Sequence, residues 1–217
     1  NSFGSSYSSI FEGIDNIEFV NIYCTPGFPK NKINAKYFQI TEKNLLKNLF
    51  NKYTKTGVEV SPDINFKELN EKETQLINSL KKKRWRVFFW LRRFLWRISR
   101  WKSIELKNFI LKYKPDIIFV PLYHSTYLNR IILFIKEFTG LKMVGYVSDD
   151  IYSLKQFSLS PFYWIDRLIT RIQIKKTVDK CEYIYVISDI QKNEYEKIFN
   201  KECRILTKGA NFDKPDY

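Results

Sequence analysis

Cysteine and histidine are scarce in this chain of 217 residues, which contains 3 Cys and 1 His. Cys24, Cys181 and Cys203 lie far apart and lack the paired spacing of a metal-binding motif. Each lies in or beside an apolar run, where a free cysteine usually packs as a small core residue. We therefore expect a reducing compartment, no disulfide framework and no metal site built on cysteine.

Acidic residues are missing from one stretch, KKKRWRVFFWLRRFLWRISRWK (81–102). It contains ten of the 37 basic residues and none of the 23 acidic ones, so the formal net charge of +14 is largely a local feature. A concentrated positive charge favours an anionic surface facing this segment, not the whole molecule.

We expect no secretory signal peptide. The basic segment is too charged to span a membrane. A spanning helix needs roughly 20 mostly apolar residues. An arginine at its centre costs about 2.5–3.5 kcal/mol, and Arg92, Arg93 and Arg97 lie near the middle of this segment.

Helical spacing predicts instead an amphipathic helix over 81–102 that lies on a membrane surface. Aromatic rings settle at headgroup depth, and arginine side chains reach lipid phosphate. The predicted membrane contacts are Arg86, Arg93, Arg97, Arg100, Trp85, Trp90, Trp96 and Trp101. Two alternatives remain open: a core helix with a solvated arginine stripe, and a nucleic-acid-binding helix that uses arginine and aromatic rings.

The second half of the chain alternates short apolar runs with helical stretches. The predicted strands are 116–122, 142–148, 183–188 and 204–209, and the predicted helices are 126–139, 161–179 and 189–199. Nearly continuous apolar strands between helices are typical of a parallel sheet covered on both faces. We therefore predict an α/β fold, a Rossmann-like doubly wound parallel sheet with the basic amphipathic helix added.

The first half of the chain is less regular. We predict a short helix at 5–13, strands at 17–24 and 36–40, and a helix at 42–52. The segment 53–63 is polar and typical of turns.

Polar residues follow the predicted strands of the second half, and in an open α/β sheet ligands bind at the carboxyl ends of the strands. The candidates are Tyr123, His124, Asp149, Asp150, Ser188, Lys208 and Gly209. Two adjacent carboxylates can serve as general acid or base, or they can bind sugar hydroxyls or a cation. Convergence of several such residues on one crevice favours a binding site.

Each candidate also has a purely structural interpretation. His124 would then be a surface loop residue, and Asp149 or Asp150 would cap the helix that follows. Ser188 would likewise cap the next helix, and the Lys-Gly pair would be a turn that ends a strand.

Three segments in this order carry a resemblance: KPDIIFVPLYHSTYL, KMVGYVSDD and CEYIYVISDIQKNEYEKIFNKECRILTKGANFD. Together they resemble the amino-terminal half of GT-B fold glycosyltransferases, particularly glycosyltransferase family 4. Ser188 matches the helix-capping serine of that family. Asp150 matches the aspartate of its His-Asp pair, and Asp149 stands where the family has the histidine.

The resemblance implies a nucleotide-sugar-dependent transferase of the hexosyltransferase type, in which this chain is one half of the GT-B fold. Residues 1–213 would be the acceptor-binding domain, and 214–217 would begin the linker to a donor-binding domain. Alone, the chain would be inactive. Asp150 and Asp149 would be catalytic, and the substrate-binding residues would be Gly4, Tyr123, His124, Ser188, Lys208 and Gly209.

The implied partners are a nucleotide sugar, a lipid-linked or saccharide acceptor, an anionic membrane surface and the protein's own carboxy-terminal donor domain. The resemblance places the protein at the inner face of the cell membrane, on its cytoplasmic side, in surface polysaccharide synthesis. It implies no metal and no cofactor beyond the donor as co-substrate. No RNA-binding or helix-turn-helix signature occurs in the sequence, so we expect no nucleic-acid partner. The alternatives are a non-catalytic Rossmann-like module that docks to a membrane or protein, and a basic nucleic-acid binder.

Overall fold

The structure is a computed structural model that describes residues 10–11, 14, 16–27, 29, 35–60, 86–152 and 158–207, with the backbone alone for 86–89. Most of the predicted helix at 5–13 lies outside the described residues. Gly4, Trp85, Lys208, Gly209 and the segment 214–217 also lie outside them. The described residues belong to two compact units, one that ends at Lys114 and one that spans Pro115–Thr207.

The first unit contains a three-stranded sheet in the order β1-β2-β3. Its elements are β1 (Phe19–Tyr23), β2 (Ala35–Ile40), helix α1 (Glu42–Phe50) and β3 (Gly57–Val60). Strand β1 pairs with β2 in parallel, and β2 pairs with β3 antiparallel. Helix α1 begins where the Thr41 hydroxyl accepts a hydrogen bond from the backbone N–H of Asn44 at 3.2 Å.

Strand β3 corrects the prediction that 53–63 is only a turn. With only four residues between turn-forming neighbours, the alternation of apolar and polar side chains is too short to be recognised as that of a strand. Strand β3 begins at Gly57. A larger residue would not fit at this position, because Cζ of the Phe38 ring lies 2.7 Å from where a Cβ would be. Phe38 in turn packs on Phe109, with ring centroids 5.1 Å apart, so this strand is specified by contacts distant in sequence.

Two further helices complete the first unit, α2 (Arg86–Ile98) and α3 (Ile104–Tyr113). The helix predicted over 81–102 therefore ends at Ile98, and α3 was not predicted. The Ser103 hydroxyl accepts from the backbone N–H of Leu106 at 3.3 Å and so caps a new helix. A cap at this position favours a break over one continuous helix.

The second unit is an α/β sheet of four parallel strands in the order β4-β5-β6-β7. Its elements are β4 (Ile117–Pro121), α4 (Thr126–Thr139), β5 (Lys142–Tyr146), α5 (Pro161–Asp179), β6 (Ile184–Val186), α6 (Asp189–Phe199) and β7 (Cys203–Ile205). Across the described residues, the chain is thus an α/β protein with a four-stranded parallel sheet and six helices. The described strands form two sheets, whereas the sequence predicts one.

The core of the second unit lies between the sheet and its helices. Met143, Ile184 and Val186 pack with Ile174 of α5 and Phe199 of α6. Helix α5 packs against both α4 and α6, as expected when right-handed crossovers join strands in sequential order and leave successive helices on one face. Each fully buried aliphatic or aromatic side chain of this kind contributes about 1.5–3 kcal/mol.

Candidate functional site

The candidate site is the carboxyl edge of the four-stranded sheet. Because β4, β5 and β6 are parallel neighbours, the residues that follow them share one edge. Tyr123 and His124 follow β4, Asp149 and Asp150 follow β5, and Ser188 follows β6. The structure therefore places all five of these predicted residues at one edge of the sheet.

Asp150 is exposed and lies in an anchored loop. Its Oδ1 accepts from the backbone N–H of Tyr152 at 3.4 Å and from the hydroxyl of Tyr195 at 3.5 Å. Tyr152 is buried, and its ring packs on Phe199 with centroids 4.6 Å apart. Among the described residues, neither aspartate caps a helix, since 150–152 are not helical and the next helix described, α5, begins after Ser160. That structural interpretation is therefore wrong.

Asp149 is joined to the neighbouring strand end through Gln191. The Gln191 side chain donates from Nε2 to the Asp149 carbonyl at 3.4 Å, and its Oε1 accepts from the Ile187 N–H at 3.1 Å. The Asp149 carboxylate accepts from the Ser148 hydroxyl at 3.4 Å. Burial raises the pKa of Tyr146, and the negative charge of Asp149 raises it further. The Asp149 carboxylate therefore interacts electrostatically with the last residue of β5.

Ser188 is the N-cap of α6. Its hydroxyl accepts from the backbone N–H of Gln191 at 3.3 Å, which confirms the structural interpretation. A role of Ser188 in substrate binding stays a prediction.

A buried asparagine holds the loop that presents Tyr123 and His124. Asn129 of α4 donates from Nδ2 to the carbonyls of Tyr123, at 3.1 Å, and Ser125, at 2.7 Å. Its Oδ1 accepts from the hydroxyl of Thr177 on α5 at 2.8 Å. Asn129 and Thr177 are fully buried, whereas His124 is exposed.

Three residues of this edge were missed by the sequence analysis: Asn129, Gln191 and Tyr195. Each lies inside a helix, where a single polar or aromatic side chain looks like surface or core. Tyr195 is four residues after Gln191 and so lies on the same helix face. That spacing, directly after a capping serine at a strand end, is the one sequence signal that points toward the site.

Tyr195 makes the stability of the protein sensitive to alkaline pH. Burial first, and then the charge of Asp150, raise the pKa of Tyr195 from its ordinary value of 10.0 to about 12. The neutral phenol therefore stabilises the fold below pH 10, and this contribution is lost as the pH rises toward about 12. We expect the free energy of unfolding, measured with urea across this interval, to fall more steeply in the wild type than in Tyr195→Phe. The cysteine thiols also titrate in this interval, but they do so equally in both proteins. Equal dependence of the free energy of unfolding on pH in the two proteins would contradict the expectation.

The predicted membrane residues of the basic segment do not share one environment. Arg97 and Arg100 are exposed, but Arg100 lies beyond the end of α2. Arg93 is half-buried, with its guanidinium 5.5 Å from the centroid of the Trp90 ring. Arg86 begins α2, and its side chain is outside the described residues, as is all of Trp85.

Trp96 and Trp101 require a correction, because both rings are buried, at 1% and 3% exposure. The Trp96 Nε1 donates to Oε1 of Glu42 on α1 at 3.1 Å, and the Arg92 guanidinium pairs with the same carboxylate. The side of α2 that carries Arg92 and Trp96 therefore packs against α1. Two tryptophans predicted to touch a membrane are therefore packing residues.

The solvent face of α2 carries apolar side chains instead. Leu91, Phe94 and Ile98 are exposed and follow helical spacing, so they form one stripe beside the exposed Arg97. Among the helices that the structure describes, none is both long enough and apolar enough to cross a membrane.

Within the described ranges, no group of three or more His, Cys, Asp and Glu side chains could hold a metal ion.

Burial raises the pKa of the Cys24 and Cys181 thiols to about 12 and that of Cys203 to about 11. Protonated, buried thiols are poor nucleophiles and poor metal ligands.

No family model matches the chain, and a search of curated proteins found no match.

Proposed function

We propose that the chain is the acceptor-binding half of a GT-B glycosyltransferase with a Rossmann-like fold. It would move a sugar from a nucleotide-sugar donor to a lipid-linked or saccharide acceptor at an anionic membrane surface. The main support is the carboxyl edge of the parallel sheet. There the exposed Asp150, held by hydrogen bonds, follows β5, and His124 follows the neighbouring strand β4. The resemblance of three segments in order adds to this support.

The proposed chemistry requires a group that orients or deprotonates the acceptor hydroxyl. An exposed carboxylate held by hydrogen bonds from Tyr195 and the Tyr152 N–H is suited to that task. Asp149, fixed through its backbone by Gln191, would hydrogen-bond a sugar hydroxyl beside it. Tyr123 and His124 would line the acceptor side.

In this proposal the donor nucleotide is held mainly by a carboxy-terminal domain of the parent protein. Gly4, Lys208 and Gly209 stay predicted substrate-binding residues. Ser188 would contribute through the α6 amino terminus, which favours negative charge because unpaired backbone N–H groups point outward there.

The membrane arm of the proposal is supported by α2. Exposed Leu91, Phe94 and Ile98 lie beside exposed Arg97 on one helix. Apolar side chains with flanking basic groups suit the boundary between headgroups and acyl chains. Each Lys or Arg near anionic lipid contributes about 1 kcal/mol.

A transfer assay tests the proposal directly. The parent protein would be incubated with membranes and a panel of labelled nucleotide sugars, and label would be counted in the lipid extract and in polymer. We expect one donor to give transfer, and removal of anionic lipid to reduce it. Absence of transfer from every donor, with the protein folded and bound to membranes, would favour a non-catalytic binding module.

A further inference from the structure

Helix α1 and the turn after it present large apolar side chains to solvent. Leu46, Leu49, Phe50 and Tyr53 recur at helical spacing, and Phe50 and Tyr53 are 91% and 96% exposed. Such exposure of two neighbouring aromatic rings is unusual for a surface that only faces water.

The turn that carries Tyr53 is held in place. Asn48 is buried, and its Nδ2 donates to the carbonyls of Lys52, at 3.2 Å, and Thr54, at 2.7 Å. The Tyr53 N–H donates to Asn51 Oδ1 at 3.1 Å. The outward position of Tyr53 is therefore built into the fold of the turn.

Positive charge surrounds this apolar surface. Lys43, Lys47, Lys52 and Lys55 are exposed, and no acidic residue occurs between 43 and 58. A second copy of the chain would bring the same charge to the contact, so self-association is disfavoured. An apolar surface with lysines around it is complementary to an anionic bilayer.

Helix α1 also contacts α2, through side chains that lie on the opposite side of α2 from its exposed Leu91, Phe94 and Ile98. Glu42, at the start of α1, accepts a hydrogen bond from Trp96 and pairs with Arg92, both on α2. Leu46, Leu49 and Tyr53 follow Glu42 at spacings that keep them on one side of the helix. The exposed surface thus continues the side of α1 that contacts α2.

We propose that α1 and the turn 51–55 form a second lipid-contacting element, which places Phe50 and Tyr53 at headgroup depth and the four lysines against lipid phosphates. Aromatic rings are enriched at this depth because one part of the ring is apolar and the ring edge tolerates water. The proposal rests on the membrane association inferred for α2 and names a further contact for it.

A fluorescent label on the full chain tests the contact. Leu46→Cys would be labelled with an environment-sensitive maleimide dye, which should leave Cys24, Cys181 and Cys203 unmodified because all three are buried. We expect the dye to brighten and shift to the blue with vesicles of phosphatidylcholine plus phosphatidylglycerol, and not with phosphatidylcholine alone. The matched control is Leu111→Cys, an exposed leucine on α3, whose label should not respond to either.

Vesicle flotation of the same proteins separates the outcomes. Phe50→Ser with Tyr53→Ser should weaken binding to the anionic vesicles by at least about tenfold. Flotation of the wild type without any response from the Leu46 label would overturn the role of α1 and leave membrane association through α2 intact. Failure of the wild type to float would overturn both, while sugar transfer to a soluble saccharide would still be measurable. A dye response to polynucleotide that exceeds the response to vesicles would also overturn the proposal.

Discussion

Replacing Asn129 with Ala is expected to lower the free energy of unfolding by about 2–4 kcal/mol. The substitution removes three hydrogen bonds of a fully buried side chain, two to the carbonyls of Tyr123 and Ser125 and one from Thr177. Part of the loss is compensated, since the Thr177 hydroxyl can donate to the Gln173 carbonyl instead and the Ser125 carbonyl also accepts from the Asn129 N–H. What remains is the desolvation of the unpaired groups and the cavity left by the amide.

Urea unfolding followed by tryptophan fluorescence measures this change. The control is Asn193→Ala, which truncates an exposed asparagine on α6 of the same unit and should change the free energy of unfolding by less than about 0.5 kcal/mol. Hydrogen exchange adds a local readout, because the Ser125 N–H that donates to Tyr123 should lose protection in Asn129→Ala. Equal destabilisation by both variants would show that the Asn129 network does not hold the loop.

Under the proposed glycosyltransferase function, replacing Asp150 with Asn is expected to lower the rate of sugar transfer about 100-fold or more, the usual contribution of a general acid or base. The amide keeps an oxygen that can accept from Tyr152 and Tyr195, so the loop should stay folded. The substitution removes the negative charge and the capacity to take a proton. The measurement is kcat with the donor that the wild type uses, together with a urea unfolding curve.

Asp116 supplies the matched control for that experiment. It is an exposed aspartate directly before β4, at the amino edge of the same sheet, so Asp116→Asn should leave transfer unchanged. Normal transfer by Asp150→Asn would mean that this carboxylate only anchors Tyr152 and Tyr195. Loss of transfer in both variants would point to a general effect of charge and not to a reacting group.

Local signals were enough to predict the helices of the second unit. The predicted bounds 126–139, 161–179 and 189–199 agree with α4, α5 and α6. Gly140 ends α4 with a positive φ of 69°, and Ser160 with Pro161 begins α5. These are signals that a chain carries within one turn of a helix end.

The candidate edge was predicted in part. Tyr123, His124, Asp149, Asp150 and Ser188 follow apolar strands and could be named from order alone. The groups that hold them could not, since the buried Asn129 side chain also accepts a hydrogen bond from Thr177, 48 positions later in the chain. The partner of a polar side chain inside a helix depends on which helix lies beside it.

In the basic segment, the sequence determines that a helix forms, and the tertiary structure determines which of its side chains are buried. The sequence by itself determined that a helix with an arc of apolar residues and several arginines would form there, because periodicity and charge are local properties. It could not determine which part of the broad apolar arc is covered. Packing of α2 on Glu42 of α1 buries Trp96 and leaves Leu91, Phe94 and Ile98 in solvent, because a core covers only the side of a helix that a neighbour reaches.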